Sequence, residues 1–260
     1  MLYGIQAAKD VKLSNISRAL NEPINLIKTE DRLSKNLAAE DLTDHLNDEI
    51  CRLASGKIND EMVLAIDPGD ICKPYAESME WLCRVHDGDK GETVNGYALC
   101  KVVAADCNHQ QVLPLYCEAY SYTADGFKSV NDQLFRAIDC VSNHVGDKGT
   151  WAIDRGGDSQ TLLRKFLRDQ KQFVVRLKGN RNVLYKDKTF NVGALAKNLK
   201  TPYEAKVIRY KDGKEEQLKI QYGMAEVRLP VFEGSQQEQT FRLVVVKGFG
   251  QEPMMLLTNR

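Results

Sequence analysis

The chain has 260 residues, enough for one large domain or a domain with an appendage. Hydrophobic residues make up 43% and charged residues 28% of it, no apolar run reaches membrane-spanning length, and the start lacks a basic-then-apolar leader pattern. These features point to a cytoplasmic globular protein with no membrane partner, and a formal net charge of +0 argues against a basic coat over the whole surface.

Residues 1–55 read as helical. Leu13, Ile16 and Leu20 form one apolar stripe that Asn21-Glu22-Pro23 ends. Leu26, Ile27, Leu33 and Leu37 predict a second helix, and Leu42, Leu46, Ile50 and Leu53 a third. Arg18, Lys28, Arg32 and Lys35 between them invite a helix-turn-helix reading. The segment is net acidic, however, and helical hairpins more commonly serve packing, so DNA contact here is the weaker option. Gly56 to Asp60 reads as a linker.

From Met62 the pattern turns to strands. Glu61 to Ile66 is an apolar run ending in Asp67, followed by the turn residues Pro68-Gly69-Asp70. Residues 94–105 and 112–122 predict two strands joined by a hairpin at 106–109. The preceding loop, Asp87 to Glu92, is acidic but lacks the EF-hand register, so it reads as an exposed loop. Val130, Leu134, Phe135, Ile138 and Val141 mark a helix over roughly 128–145.

Next comes TWAIDRGGDSQTLLRKFLRDQKQFVVRLKGNRN, residues 150–182. A short apolar run ends in Asp154, and Arg155-Gly156-Gly157 breaks it. Asp158 or Ser159 is a suitable cap for a helix with Leu162, Leu163, Phe166 and Leu167 on one face. Phe173 to Leu177 predicts another strand, leading into Lys178-Gly179-Asn180-Arg181. Taken alone, Asp-Arg-Gly-Gly is good turn chemistry. The second apolar run ending in Asp67 changes the weighing, because two carboxylates on neighbouring strand ends can bind a divalent metal. Beyond residue 183 the alternation at 206–210, 217–229, 240–247 and 254–258, with turns at Asp212-Gly213 and Glu233-Gly234, predicts a mainly antiparallel sheet.

Charge is unevenly spread. Residues 164–219 carry 16 basic and 6 acidic side chains, whereas 63–163 carry 8 and 15. A positive region beside an acidic one suits a protein gripping a polyanion next to a metal site, although a solvated lysine-rich face is the common alternative. The seven cysteines are scattered without a C-x-x-C pair and read as reduced thiols. Cys72 lies close to Asp67 with nothing nearby to mark it as a nucleophile. The four histidines show no ligand spacing.

The order strand, strand, strand, helix, strand, helix, strand is that of the ribonuclease-H-like fold, in which the first and fourth strands sit side by side. LAIDPGDICKPYAE around Asp67, AIDRGGDS around Asp154, FVVRLKGNRN and the terminal MLLTNR together resemble the bacterial insertion-sequence DDE transposases, the family named for insertion sequence 4. YGIQAAKDVKLSNISRALNE and RLSKNL resemble the helical lead-in of such proteins. The resemblance covers nearly the whole chain, and it rests on the order and spacing of short motifs.

The resemblance implies an α/β fold: a ribonuclease-H-like mixed sheet with helices, interrupted by a β-rich insertion and preceded by a small helical region. Residues 1–57 would be the helical region, 58–181 the partial catalytic core, and 182–260 the insertion leading back to the core. It implies Asp67 and Asp154 as the first two carboxylates of an Asp-Asp-Glu triad holding two Mg²⁺ (or Mn²⁺). It also implies DNA strand cleavage and transfer on double-stranded transposon ends and target, by a homo-oligomer. Lys73, Arg155, Arg176, Lys178 and Arg181 are candidates for holding DNA phosphates by charge and position. Asp70 and Asp158 read as turn or capping residues, with a supporting role at the site left open.

The sequence departs from the family in one respect. The expected Tyr-x2-Arg-x3-Glu-x6-Lys pattern after a strand like MLLTN is missing, and Glu252 precedes that strand. The expectation is therefore a truncated product with little or no activity of its own, and the alternative is an inactive regulator that binds DNA or full-length transposase. An unrelated hydrolase using Asp67 as nucleophile is disfavoured by Pro68 directly after it.

Overall fold

A computed structural model describes residues 1–211, 214–236 and 238–260. The turn expected at Asp212-Gly213 lies outside the described residues. The chain divides into two compact units, Met1–Leu46 and Asn47–Arg260.

The first unit contains α1 (Leu2–Ala8), α2 (Leu13–Leu20), α3 (Leu26–Ala39) and the start of α4 (Thr43–Ser55). Gly4 is where α1 meets α2, since a Cβ there would lie 2.6 Å from the Ile16 side chain. Asn21 ends α2 in the left-handed conformation that asparagine tolerates, as the Asn-Glu-Pro sequence predicts. Glu22 then reaches Arg32 at 2.5 Å and Thr29 at 3.1 Å, tying the turn to α3. Only part of the expected α3 stripe is covered: Leu33 is buried, whereas Ile27 and Leu37 face water.

Helix α4 departs from its expected face. Leu42, Leu46, Ile50 and Leu53 are exposed, and Asn47 and Cys51 are buried instead. The Asn47 side chain donates to the Cys117 carbonyl at 3.2 Å and accepts from the Cys117 amide at 2.8 Å, like a residue of a paired strand. Cys51 donates its thiol to the Leu115 carbonyl at 2.9 Å. These bonds fasten Asn47 and Cys51 to β4 within the second unit.

The second unit is built on β1 (Val63–Cys72), β2 (Cys83–Asp87), β3 (Glu92–Asp106), β4 (Gln111–Tyr120), α5 (Val130–Val145), β5 (Thr150–Ile153), α6 (Gln160–Arg168) and β6 (Phe173–Arg176). It continues with β7 (Asn182–Tyr185), β8 (Lys188–Asn191), α7 (Val192–Asn198), β9 (Tyr203–Lys211), β10 (Lys214–Val227), β11 (Phe241–Lys247) and β12 (Met254–Thr258). One mixed sheet runs in the order β2-β3-β1-β5-β6-β12-β11-β10-β9, with β4 also on β3. The first three pairings on β3 are antiparallel, and β1, β5 and β6 are parallel neighbours. Among the described residues no helix is long and apolar enough to cross a membrane.

Several expectations need correction. β1 does not turn after Asp67; it continues through Pro68-Gly69-Asp70 to Cys72, in unbroken register with β3. The long β3 supplies partners for every residue of that stretch, overriding local turn propensity. Because β5 ends at Ile153, β1 is open on that side from Asp67 onward, where proline's missing N–H is tolerated. The polar stretch before residue 92 also holds a strand, β2, whose Asp87–Glu92 connection makes a hairpin with β3. The short β7–β8 hairpin and α7 were hidden among polar residues.

Helices α5 and α6 form where the apolar spacing predicts. Ser129 caps α5 by accepting from the Asp132 amide at 3.1 Å, and Ser159 caps α6 by accepting from Leu162 at 3.2 Å. Their apolar faces enter one core with the sheet. An aromatic chain, Trp151–Phe166–Phe173–Phe241–Phe232, has successive ring centroids 5.4–6.2 Å apart. It joins residues on both sides of position 182 in one packed interior, so the β-rich part shares the core rather than forming its own. Asn259 makes the closing link: it accepts from the Phe173 amide at 3.0 Å and donates to the Lys171 carbonyl at 2.9 Å.

Candidate functional site

The register of β1 and β5 positions the two aspartates. Ile66 and Ile153 are direct partners on neighbouring parallel strands. Asp67 and Asp154 are the next residues: Asp154 follows the end of β5, and Asp67 lies inside β1 at the point where β5 stops pairing with it. Both are exposed. On the other side of β1, Asp67 pairs in register with Lys101, whose Nζ lies 3.4 Å from Asp67 Oδ2.

Asp154 has a local task as well. Its Oδ1 accepts from the Gly156 amide at 2.7 Å, capping the 3-10 turn Arg155–Gly157. Gly157 packs directly against Ile153, where any Cβ would lie 2.4 Å from that side chain. The turn reading of Asp-Arg-Gly-Gly is therefore correct locally. It uses one carboxylate oxygen; Oδ2 has no partner among the described residues.

The basic candidates separate into three environments. Lys73 follows the end of β1, and six residues of extended chain put it about 20 Å from Asp67. The expected turn would have kept it near; the straight strand carries it away. Arg155 and Arg176 line one cleft of about 540 Å³ together with Lys197 and Glu252. Neither guanidinium has an acidic partner among the described residues, whereas Glu252 is 3.1 Å from Lys197.

Lys178 and Arg181 line a second cleft with Asp158, Pro230 and Val231. Asp158 is the residue that sequence reasoning undervalued. It does not cap α6, a task that falls to Ser159. Its buried side chain instead accepts from the Lys178 amide at 2.7 Å and from Arg181 Nε at 2.5 Å, and a second Arg181 nitrogen also contacts it. Arg181 is thus neutralised and holds the loop's shape. A turn-type aspartate flanked by glycine and serine carries no local signal for such a long-range bond.

Asp70 lies within β1, exposed, and accepts weakly from the Cys72 thiol at 3.3 Å. Partial burial, then Asp70 and Asp87, push that thiol up to about 11, so it stays protonated at neutral pH and is a poor nucleophile.

Two hard carboxylates, one in β1 and one just beyond β5, fit a divalent cation in ligand type. Among the described residues, no group of three or more His, Cys, Asp or Glu is placed to hold a metal ion.

No family model matches the chain, and no curated protein matches it. Among solved structures, it is similar to the piggyBac transposase synaptic complex with hairpin DNA at 11% sequence identity and a TM-score of 0.37. The match covers 75% of this chain and 32% of that one, so this chain spans about a third of its length. A likeness at this level leaves the assignment to the chain's own residues.

Proposed function

We propose that this chain derives from a DDE transposase of the insertion-sequence type, with a ribonuclease-H-like core that acts on double-stranded DNA at transposon ends. Asp67 and Asp154 would hold Mg²⁺ or Mn²⁺, assisted by neither Lys73 nor the locked Arg181. The observation that supports the reading is the Ile66–Ile153 register, after which Asp67 in β1 and Asp154 beyond β5 are the next residues of two neighbouring parallel strands. Divalent ions held by Asp67 and Asp154 would supply the charge that activates a water or 3′-hydroxyl and stabilises the leaving oxygen.

The chain's own groups divide the remaining work. Arg155 is covalently next to Asp154, and it shares a cleft with Arg176. With no acidic partner among the described residues, both are available to phosphate oxygens, where a planar guanidinium can donate two hydrogen bonds. Lys178, with its side chain free of an ion pair, adds charge at the neighbouring cleft. Lys101 offsets the Asp67 carboxylate when no cation is present.

A second reading, DNA binding without cleavage as a regulator of an active transposase, is favoured by the two-carboxylate donor set among the described residues. Two ligands alone bind a hard cation weakly, since octahedral ions are usually held by protein carboxylates together with waters or phosphates. Homo-oligomerisation on DNA belongs to both readings.

The test is Mn²⁺ titration by electron paramagnetic resonance, paired with nicking of a labelled duplex by the 260-residue chain. The transposase reading expects Mn²⁺ binding that Asp154→Ala weakens at least about tenfold, with duplex affinity in EDTA unchanged. DNA binding with no nicking at saturating Mn²⁺ selects the regulator. Undiminished Mn²⁺ binding in Asp154→Ala sinks the site assignment in both.

A further inference from the structure

A third concavity, of about 700 Å³, lies between the β7–β8 hairpin, the end of α7 and the start of β9. It shares no lining residue with the Arg155–Arg176 cleft. Its walls are aromatic. Tyr185 and Phe190 meet edge to face with centroids 6.1 Å apart, and Tyr203 packs on Tyr222 at 5.3 Å. Yet Phe190 is 36% exposed, Tyr203 50% and Met224 52%, so large apolar faces are left to water.

The groove is also cationic. Lys186 Nζ lies 5.2 Å from the Tyr185 ring centre, and Lys200 also lines the groove. No Asp or Glu is among the lining residues. The acids adjacent in sequence are already committed: Asp187 to Arg228 at 2.6 Å, and Glu204 to Lys219 at 2.9 Å. Neither Lys186 nor Lys200 has an ion pair among the described residues. The wall is held in place, because Lys186 and Asp187 make a left-handed two-residue turn and Leu184 exchanges backbone hydrogen bonds with Arg228 at 2.8 and 2.9 Å.

We propose that this groove binds unpaired nucleotides of a nucleic-acid strand, with bases against Phe190 and Tyr203 and phosphates toward Lys186 and Lys200. Exposed aromatic faces beside uncompensated lysines match a strand that alternates a flat π-surface with a negative charge. A neutral apolar peptide would cover the rings but give the lysines nothing. A duplex keeps its bases stacked inside and would leave the rings unused. The inference requires neither metal nor Asp67 and Asp154, so it can fail or hold independently of the function proposed above.

Fluorescence anisotropy of the full 260-residue chain in EDTA tests it, using fluorescein-labelled oligo-dT and a blunt duplex of equal length. Tyr203→Ala and Phe190→Ala should each weaken oligo-dT binding by about fivefold or more, the scale of one lost base stack, with duplex binding changed less than about twofold. Tyr203→Phe should retain wild-type affinity. Removing both Lys186 and Lys200 should lower the salt slope for oligo-dT by about 1.4, two phosphate contacts' worth on a single strand. Both aromatic side chains are exposed, so unchanged thermal melts should accompany these losses. Equal losses on duplex, indifference to both aromatic substitutions, or no oligo-dT binding at about 100 µM, a nonspecific-range concentration, would each overturn the proposal. So would tight binding of a labelled acidic, tryptophan-bearing peptide that Tyr203→Ala abolishes in a chain that binds no oligo-dT, which would mark a protein-docking groove.

Discussion

Arg176 and Arg181 belong to the same short stretch of chain, FVVRLKGNRN, and look interchangeable as phosphate ligands. In the fold, Arg181 turns inward onto the buried carboxylate of Asp158, while Arg176 opens with Arg155 into a cleft where only Glu252 is acidic and Lys197 already engages it. One guanidinium has its charge cancelled and its position fixed; the other has neither. The difference teaches that a basic motif sets how much positive charge is present, and burial of counter-ions sets how much of it a ligand can use.

The largest effect expected from this contrast is at Asp158. Asp158→Ala leaves Arg181 uncompensated and the Lys178 amide unpaired, at a cost of about 3–5 kcal/mol read by urea unfolding. If stability instead falls by less than about 1 kcal/mol, the ion pair is not the fastening it looks like. Arg176→Ala and Arg155→Ala should leave stability within about 0.5 kcal/mol while weakening DNA binding irrespective of sequence. Each should reduce the salt slope by about 1 on duplex DNA. A comparable loss of DNA affinity from a folded Arg181→Lys variant would erase the distinction between the two arginines.

A smaller effect concerns acid stability. Burial raises the Asp169 carboxyl, but the Lys165 and Arg168 partners outweigh it and hold the group below its ordinary 3.8. A depressed carboxyl stabilises the fold fully above the unfolded value, and the contribution is lost as pH falls below 3.8 through the folded one. Asp169→Asn should therefore be less stable at neutral pH and show a shallower decline on acidification, measured by thermal melts across pH. An unchanged acid limb would show that the Lys165 cluster contributes nothing to it.

How legible the molecule was depended on the range of the deciding interaction. β5, α6 and β6 announce themselves because a few apolar residues, a serine cap and a glycine turn suffice to form them. β1 beyond Asp67 was misread because Asp-Pro-Gly favours turns, and only the partner strand β3 holds it extended. The stripe of leucines on α4 was misread for a related reason. Periodicity selects the most apolar face, whereas the fold buries Asn47, whose amide can complete the backbone pairing of β4 at Cys117. At the candidate site, Asp154 was legible as a strand end, whereas the place of Asp67 inside β1 and the fate of each basic residue were not.

By itself, the sequence determined most of the elements around the two aspartates, β3, β4, α5, β5, α6 and β6, but neither β2 nor the full length of β1. It also determined the local excess of positive charge after residue 164. These follow from spacing, capping and composition, which act over a few residues. Only the tertiary structure decided that Lys73 is carried away, that Arg181 is locked, that Arg155 and Arg176 share a cleft, and that aromatic rings from three separate segments line one groove. Each of those depends on residues far apart in the chain, brought together by a sheet whose register no local pattern encodes.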